Sequence, residues 1–130
     1  MVALNRINNR SGNITVIQNN VDVPFEVRRV YYLYDVPGGE SRGAHGHRTL
    51  QQMIVAVSGS FEVTLDDGSS RKSFMLNRPF FGLLVPPGMW RDISNFSSGA
   101  ICLVLASSYY DEKDYLRSYD DFLNFRSTLG

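Results

Sequence analysis

Short apolar runs, each about four to eight residues long and closed by Gly, Pro, Asn, Asp or Ser, recur along most of this chain. That pattern leaves little room for anything but short β-strands. The runs fall at residues 14–17, 27–34, 50–57, 61–65, 73–76, 80–85 and 101–106. They are rich in β-branched and aromatic side chains, which suit a pleated, half-buried surface. Asp66-Asp67-Gly68 closes a turn, because Gly accepts the positive φ of a tight hairpin. Strands so closely spaced predict an all-β sandwich or barrel. The run at 101–106 is unbroken, so it is expected deep in the protein and covered on both faces. Cys102 sits within it and reads as a core residue rather than a nucleophile.

The tail changes period. Tyr119, Phe122, Leu123 and Phe125 suit an amphipathic helix across residues 118–127, and residues 111–114 suit a helical turn with Asp near its start. At 130 residues the chain is expected to be one domain, 1–130. That length buries enough surface to fold without a disulfide or metal staple.

Charge narrows the function. Thirteen basic side chains balance thirteen acidic ones, so there is no global field for nucleic acid or an anionic membrane. No apolar run approaches a bilayer span. The first ten residues lack a signal peptide's apolar core, and one cysteine fits a reducing compartment. A cytoplasmic protein is expected.

Both histidines fall at His45 and His47. On a strand, residues i and i+2 project to one face, so the two imidazoles are expected to point together into the interior. The surrounding spacing is specific. Gly39, His45-Gly46-His47, Gln52 and Gly59 reproduce the first motif of the cupins, with Gln52 where cupins carry Glu. Pro86-Pro87-Gly88, Arg91 and Asn95 follow the second motif, with Arg91 where the third His belongs. The chain therefore resembles a cupin, which implies a double-stranded β-helix, or jelly-roll, with a short C-terminal helix added. The two departures carry chemistry. A neutral amide is a poor ligand for a divalent metal, and a guanidinium has no lone pair to give. No metal and no cofactor are expected, a metal oxygenase is disfavoured, and Arg91 should favour an anion or a polar oxygen. The two imidazoles are then free to serve as acid and base, with ordinary pKa values of roughly 6.5.

A narrower resemblance covers residues 24–125. Arg29-Val30-Tyr31-Tyr32, Ser41-Arg42-Gly43-Ala44-His45-Gly46-His47, the run 82–90 and the run 105–115 are similar to the dTDP-4-keto-6-deoxyglucose 3,4-ketoisomerases, the WxcM-like sugar ketoisomerases. That resemblance implies a metal-independent keto–enol isomerisation of a dTDP-linked keto sugar, in a likewise implied homodimer. It makes His45 the leading base and His47 its partner, although spacing alone does not rank the pair. It also brings forward Arg42 and Arg29 for phosphate or sugar, and Gln52 for a sugar hydroxyl or for orienting a His. Tyr32 and Tyr34, on one strand face, are expected at the pocket, as are Trp90 as a stacking surface and Arg91. The family's opening Asp-x-Arg-Gly-x-Leu stands here as Asn9-Arg10-Ser11-Gly12-Asn13-Ile14, leaving Arg10 as the candidate contact there. The Gly46 spacer is commonly Ala and faces away from the His pair, so little consequence is expected. Two other readings compete: a nucleotide-sugar epimerase of related fold, and a non-catalytic nucleotide-sugar-binding cupin.

Overall fold

The computed structural model describes residues 1–129. Two short strands, β1 (Val2–Ala3) and β2 (Asn5–Ile7), precede β3 (Ile14–Val16) and β4 (Arg29–Leu33). Next come β5 (Arg42–His47), β6 (Gln52–Ser58), β7 (Phe61–Asp66) and β8 (Arg71–Leu76). The series ends with β9 (Phe81–Val85), β10 (Trp90–Ser94), β11 (Ile101–Ala106) and β12 (Tyr115–Leu116). A 3-10 turn (Glu112–Asp114) and one helix, α1 (Tyr119–Thr128), complete the chain.

The strands form two antiparallel five-stranded sheets, β1-β9-β6-β11-β4 and β12-β5-β10-β7-β8, with β2 and β3 as a separate hairpin. Neighbours in each sheet are mostly distant in sequence. That is the double-stranded β-helix, a jelly-roll with a short C-terminal helix. Among the described residues, no helix is long and apolar enough to cross a membrane.

Period two along the strands sorts side chains between two cores. Ile54, Ala56, Phe61, Val63, Leu83, Ile93, Cys102 and Val104 fill the space between the sheets. Met53, Val55 and Leu105, on the opposite face of the first sheet, pack with Leu4, Val23 and Phe25 from the N-terminal segment. This is why the run 101–106 shows no polar alternation: both of its faces are covered. Cys102 is a buried free thiol, and burial pushes its pKa up to about 12.

Turn chemistry sets the register. Gly59 joins β6 to β7 at φ +67, where a Cβ would sit 2.9 Å from Cα of Ala100. Asp66 at the β7–β8 hairpin accepts from the Gly68 amide (2.7 Å), from Nε of Arg71 (2.9 Å) and from the Tyr119 hydroxyl (2.7 Å). Burial raises its carboxyl, but those donors win and hold it below the usual range. The Tyr119 bond ties α1 to the second sheet. The helix starts where Ser118 Oγ accepts the Asp121 amide, and it buries Phe122 completely. Nη1 of Arg126 adds a bond to the Gly88 carbonyl.

Candidate active site

Between the sheets, and open to one end, lies a cavity of about 290 Å³. Alternation along the strands, interrupted by an irregularity in the β5–β10 pairing, decides who reaches it. From β4 it takes Arg29, Tyr31 and Leu33; from β5, Arg42, Gly43 and His45; from β6, Gln52 and Ile54. Arg91 and Ile93 come from β10, while Tyr115 and Arg117 come from β12 and the residue following it. Register brings the polar members together, since Arg91 lies directly across from His45, and Tyr115 across from His47.

His45 and His47 do share a face, and their rings meet edge-on with centroids 4.8 Å apart. Only His45 forms part of the cavity wall. His47 lies behind it, 1% exposed, against Tyr115 at 4.3 Å. Burial, reinforced by the charge of Arg91, lowers His45 to about 3 and His47 to about 2. Both rings are therefore neutral at physiological pH, far below the ordinary value of roughly 6.5.

Arg91 is also buried, which lowers it to about 10 and leaves it a full cation at neutral pH. Its Nη1 donates to Oε1 of Gln52, and Nε2 of Gln52 donates to the Tyr31 hydroxyl at 2.9 Å. Nε and Nη2 of Arg91 have no partner, as is true of Nε2 of His45. Burial, the largest influence on Tyr31, raises its phenol above the ordinary range. A divalent cation at the cupin metal position does not fit this arrangement. The amide oxygen of Gln52 is engaged by Arg91, and the guanidinium already places a positive charge there.

The mouth is cationic as well. Arg29 lies over the rings of Tyr31 (5.3 Å) and Tyr110 (5.7 Å). Arg117 sits 4.1 Å above the Tyr115 ring and is held by two bonds to Glu112 (2.9 and 2.7 Å). The Tyr110 hydroxyl also donates to Glu112. Those donors draw the Glu112 carboxyl down to about 2.

Four expected site residues lie elsewhere. Tyr32 and Tyr34 are 59% and 61% exposed on the outer side, because Arg29 and Tyr31 occupy the inward positions of β4. The parity was available beforehand: if Arg29 faces inward, Tyr31 shares its face and Tyr32 does not. Trp90 precedes inward-facing Arg91, so it points the other way, beneath α1, packing on Tyr119 (5.4 Å) and Phe122 (5.7 Å). Arg10 lies in the exposed β2–β3 turn, away from the cavity wall. Gly46 does face away from the His pair, but a Cβ there would lie 3.2 Å from the Met89 carbonyl oxygen and 3.4 Å from the Phe122 ring. Its small size therefore has a packing consequence. Sequence reasoning also passed over Tyr31, Tyr115, Arg117 and Asp114. The last three fall in or just beyond the run 105–115, whose turn and short strand have no strong periodicity.

A jelly-roll that carries Gln52 and Arg91 where cupins hold a metal, with the imidazole of His45 beside the guanidinium, defines a cupin whose pocket does not suit a divalent metal. The family model described as FdtA, WxcM-like, C-terminal matches residues 1–127, and this chain belongs to that family. The TDP-4-oxo-6-deoxy-alpha-D-glucose-3,4-oxoisomerase of Aneurinibacillus thermoaerophilus is 41% identical over 130 residues, covering 100% of this chain and 94% of that protein. A solved 3,4-ketoisomerase from Helicobacter canadensis is 42% identical, with TM-score 0.94 and coverage of 97% of this chain and 95% of that one. The sugar 3,4-ketoisomerase of Thermoanaerobacterium thermosaccharolyticum, solved with TDP, is 36% identical, with TM-score 0.96 and coverage of 98% and 93%. A His-to-Asn variant of that enzyme has been solved with TDP-4-keto-6-deoxyglucose. A dTDP-4-dehydrorhamnose 3,5-epimerase from Bacillus anthracis shares the fold at TM-score 0.75 but only 16% identity, covering 87% and 74%.

Proposed function

We propose that this protein is a 3,4-ketoisomerase of a dTDP-linked 4-keto-6-deoxyhexose, moving the carbonyl from C4 to C3 through an enediol. The observation that carries this reading is a neutral imidazole, His45, on the cavity wall beside a buried guanidinium, its cross-strand neighbour Arg91. The names of the relatives supply the substrate class.

The chemistry needs little else. C3–H is acidified by the neighbouring C4 carbonyl. A neutral His45 removes that proton, the C–H electrons form the C3=C4 double bond, and the C4 oxygen becomes an enediolate. On this reading the unpartnered N–H groups of Arg91 stabilise that developing negative charge, worth several kcal/mol in a dry site. Gln52 anchors the guanidinium and so aims it. The proton on the C3 oxygen moves to the C4 oxygen, and the protonated His45 returns a proton to C4 as the C3 carbonyl forms, with His47 as the partner that keeps His45 cycling. Arg29, Arg42 and Arg117 at the mouth match the diphosphate of a nucleotide sugar. We take residues 1–130 to act as one cupin domain, in the cytoplasm, in deoxysugar biosynthesis. We also propose a homodimer, a reading supported by the edge strand β4, whose outward Val30 and Tyr32 are exposed.

The test is direct. Incubation with dTDP-4-keto-6-deoxyglucose in deuterated buffer, followed by NMR, should give the 3-keto sugar with deuterium at C4. Epimerisation at C3 or C5 without carbonyl migration would make the protein an epimerase. Binding without turnover would make it a binding module.

A further inference from the structure

Asp114 takes no part in the reaction as described above, yet it touches the buried imidazole. Its carboxylate is fixed in place. Oδ1 accepts from the Thr49 amide (2.9 Å) and the Thr49 hydroxyl (2.8 Å), and Oδ2 accepts from the Leu50 amide (3.1 Å). These donors belong to the segment between β5 and β6, so they hold Asp114 against the end of the strand that carries His47. Oδ2 lies 3.5 Å from Nδ1 of His47. Among the described residues, Asp114 is the one carboxylate within 4.0 Å of either imidazole. Neither ring nitrogen of His47 has a hydrogen-bond partner, so this carboxylate is the nearest acceptor of charge to the ring.

A neutral imidazole carries one proton, and a carboxylate only accepts. The proton of His47 is therefore drawn to Nδ1, leaving the lone pair on Nε2. A 3.5 Å separation is long for a hydrogen bond, but such bonds at reacting sites commonly tighten only in the substrate complex. The order in space is then Asp114, His47, His45, cavity. On the ketoisomerase reading above, we infer that Asp114 is a positioning residue that acts through His47. It sets the tautomer of that ring, holds it against His45, and offers a counter-charge when His47 takes up a proton.

The chain contains only two histidines, which makes the test clean. In a His45→Asn variant, one imidazole remains, and its long-range proton–nitrogen correlation spectrum at pH 7 reports which nitrogen is protonated. The expected result is Nδ1–H. Adding Asp114→Asn keeps an oxygen for Thr49 and turns an amide NH₂ toward the ring, so the tautomer should switch to Nε2–H. With both histidines present, Asp114→Asn should lower kcat by about a hundredfold or more and change KM by less than about threefold. Thr49→Val removes one support of the carboxylate but leaves its charge, and should keep kcat within about twofold.

Nε2–H in the presence of Asp114, or a tautomer and kcat unmoved by Asp114→Asn, overturns the inference. So does a Thr49→Val loss equal to that of Asp114→Asn, which would mark the contact as merely structural. The spectrum of His45→Asn decides even if Asp114→Asn fails to fold. Because it needs no substrate, it stands apart from failure of the ketoisomerase assay.

Discussion

Nη1 of Arg91 donates to Oε1 of Gln52 at the two positions where metal-binding cupins place ligands. That bond sets a guanidinium where those proteins hold a metal and leaves Nε and Nη2 of Arg91 buried without a partner. Arg91→Met should therefore lower kcat by at least about a hundredfold, the usual cost of losing a charge-stabilising donor. Because Arg91 also depresses both imidazoles, their titration midpoints should rise in the same variant. Nuclear magnetic resonance titration of His45 and His47 reads this directly, and unmoved midpoints would refute the electrostatic account.

His45 is the group expected to remove the proton. His45→Asn keeps a similar polar shape and loses the base, so kcat should fall by about a hundred- to ten-thousandfold. KM should change little, since the mouth arginines are untouched. A variant with near-normal turnover would transfer the role elsewhere.

The same burial has a cost in acid. Each imidazole is neutral in the folded protein down to about 3 or about 2, whereas in the unfolded chain it protonates near its ordinary value. Between these limits the unfolded state binds more protons, so stability falls as pH drops below roughly 6.5. The slope approaches about 1.4 kcal/mol per pH unit for each ring. Urea unfolding at several values between pH 7 and pH 5 measures it, and His45→Asn should flatten the slope. Equal slopes in the two proteins would contradict the burial argument.

Facing decides function on β4. Tyr31→Phe removes a hydroxyl bonded to Gln52 and should reduce kcat by at least about tenfold. Tyr32→Phe, on the exposed side, should leave kcat unchanged. Equal losses would mean that the exposed face also contributes to the reaction.

Stability and activity should separate at the helix. Tyr119→Phe leaves an oxygen of buried Asp66 short of a donor and should cost about 1–3 kcal/mol. Trp90→Ala empties the space beneath α1 and should cost about 3–5 kcal/mol. Denaturant titration checks both, and the folded fraction of each should keep its kcat/KM. A selective loss of turnover in Trp90→Ala would return that ring to the substrate.

Much of this was legible beforehand because it is local. Runs of β-branched residues between turn formers announced the strands, and the period change after residue 118 announced α1, capped by Ser118. The apolar runs do not announce β1, β2, β10 or β12, and β5 enters only through its two histidines. Arg91 and Asp92 in β10 break the apolar pattern, and β12 is only two residues long and forms through its pairing with β5. Tyr32, Tyr34 and Trp90 stay off the cavity wall for one reason: strand parity with Arg29 or Arg91 turns each to the opposite face.

Residue type and spacing, both properties of the linear chain, sufficed to bring His45, His47, Gln52 and Arg91 forward and to argue against a metal. What they could not reach was depth. Whether an imidazole lines the cavity or lies behind its neighbour, and whether its proton leaves at pH 6 or at about 3, depends on water excluded by strands far away in the chain. The Asp114–His47 contact is of the same kind, since it exists only because β12 pairs with β5. Periodicity acts within a strand, whereas desolvation and charge coupling act through space, so they are settled only when the sheets close.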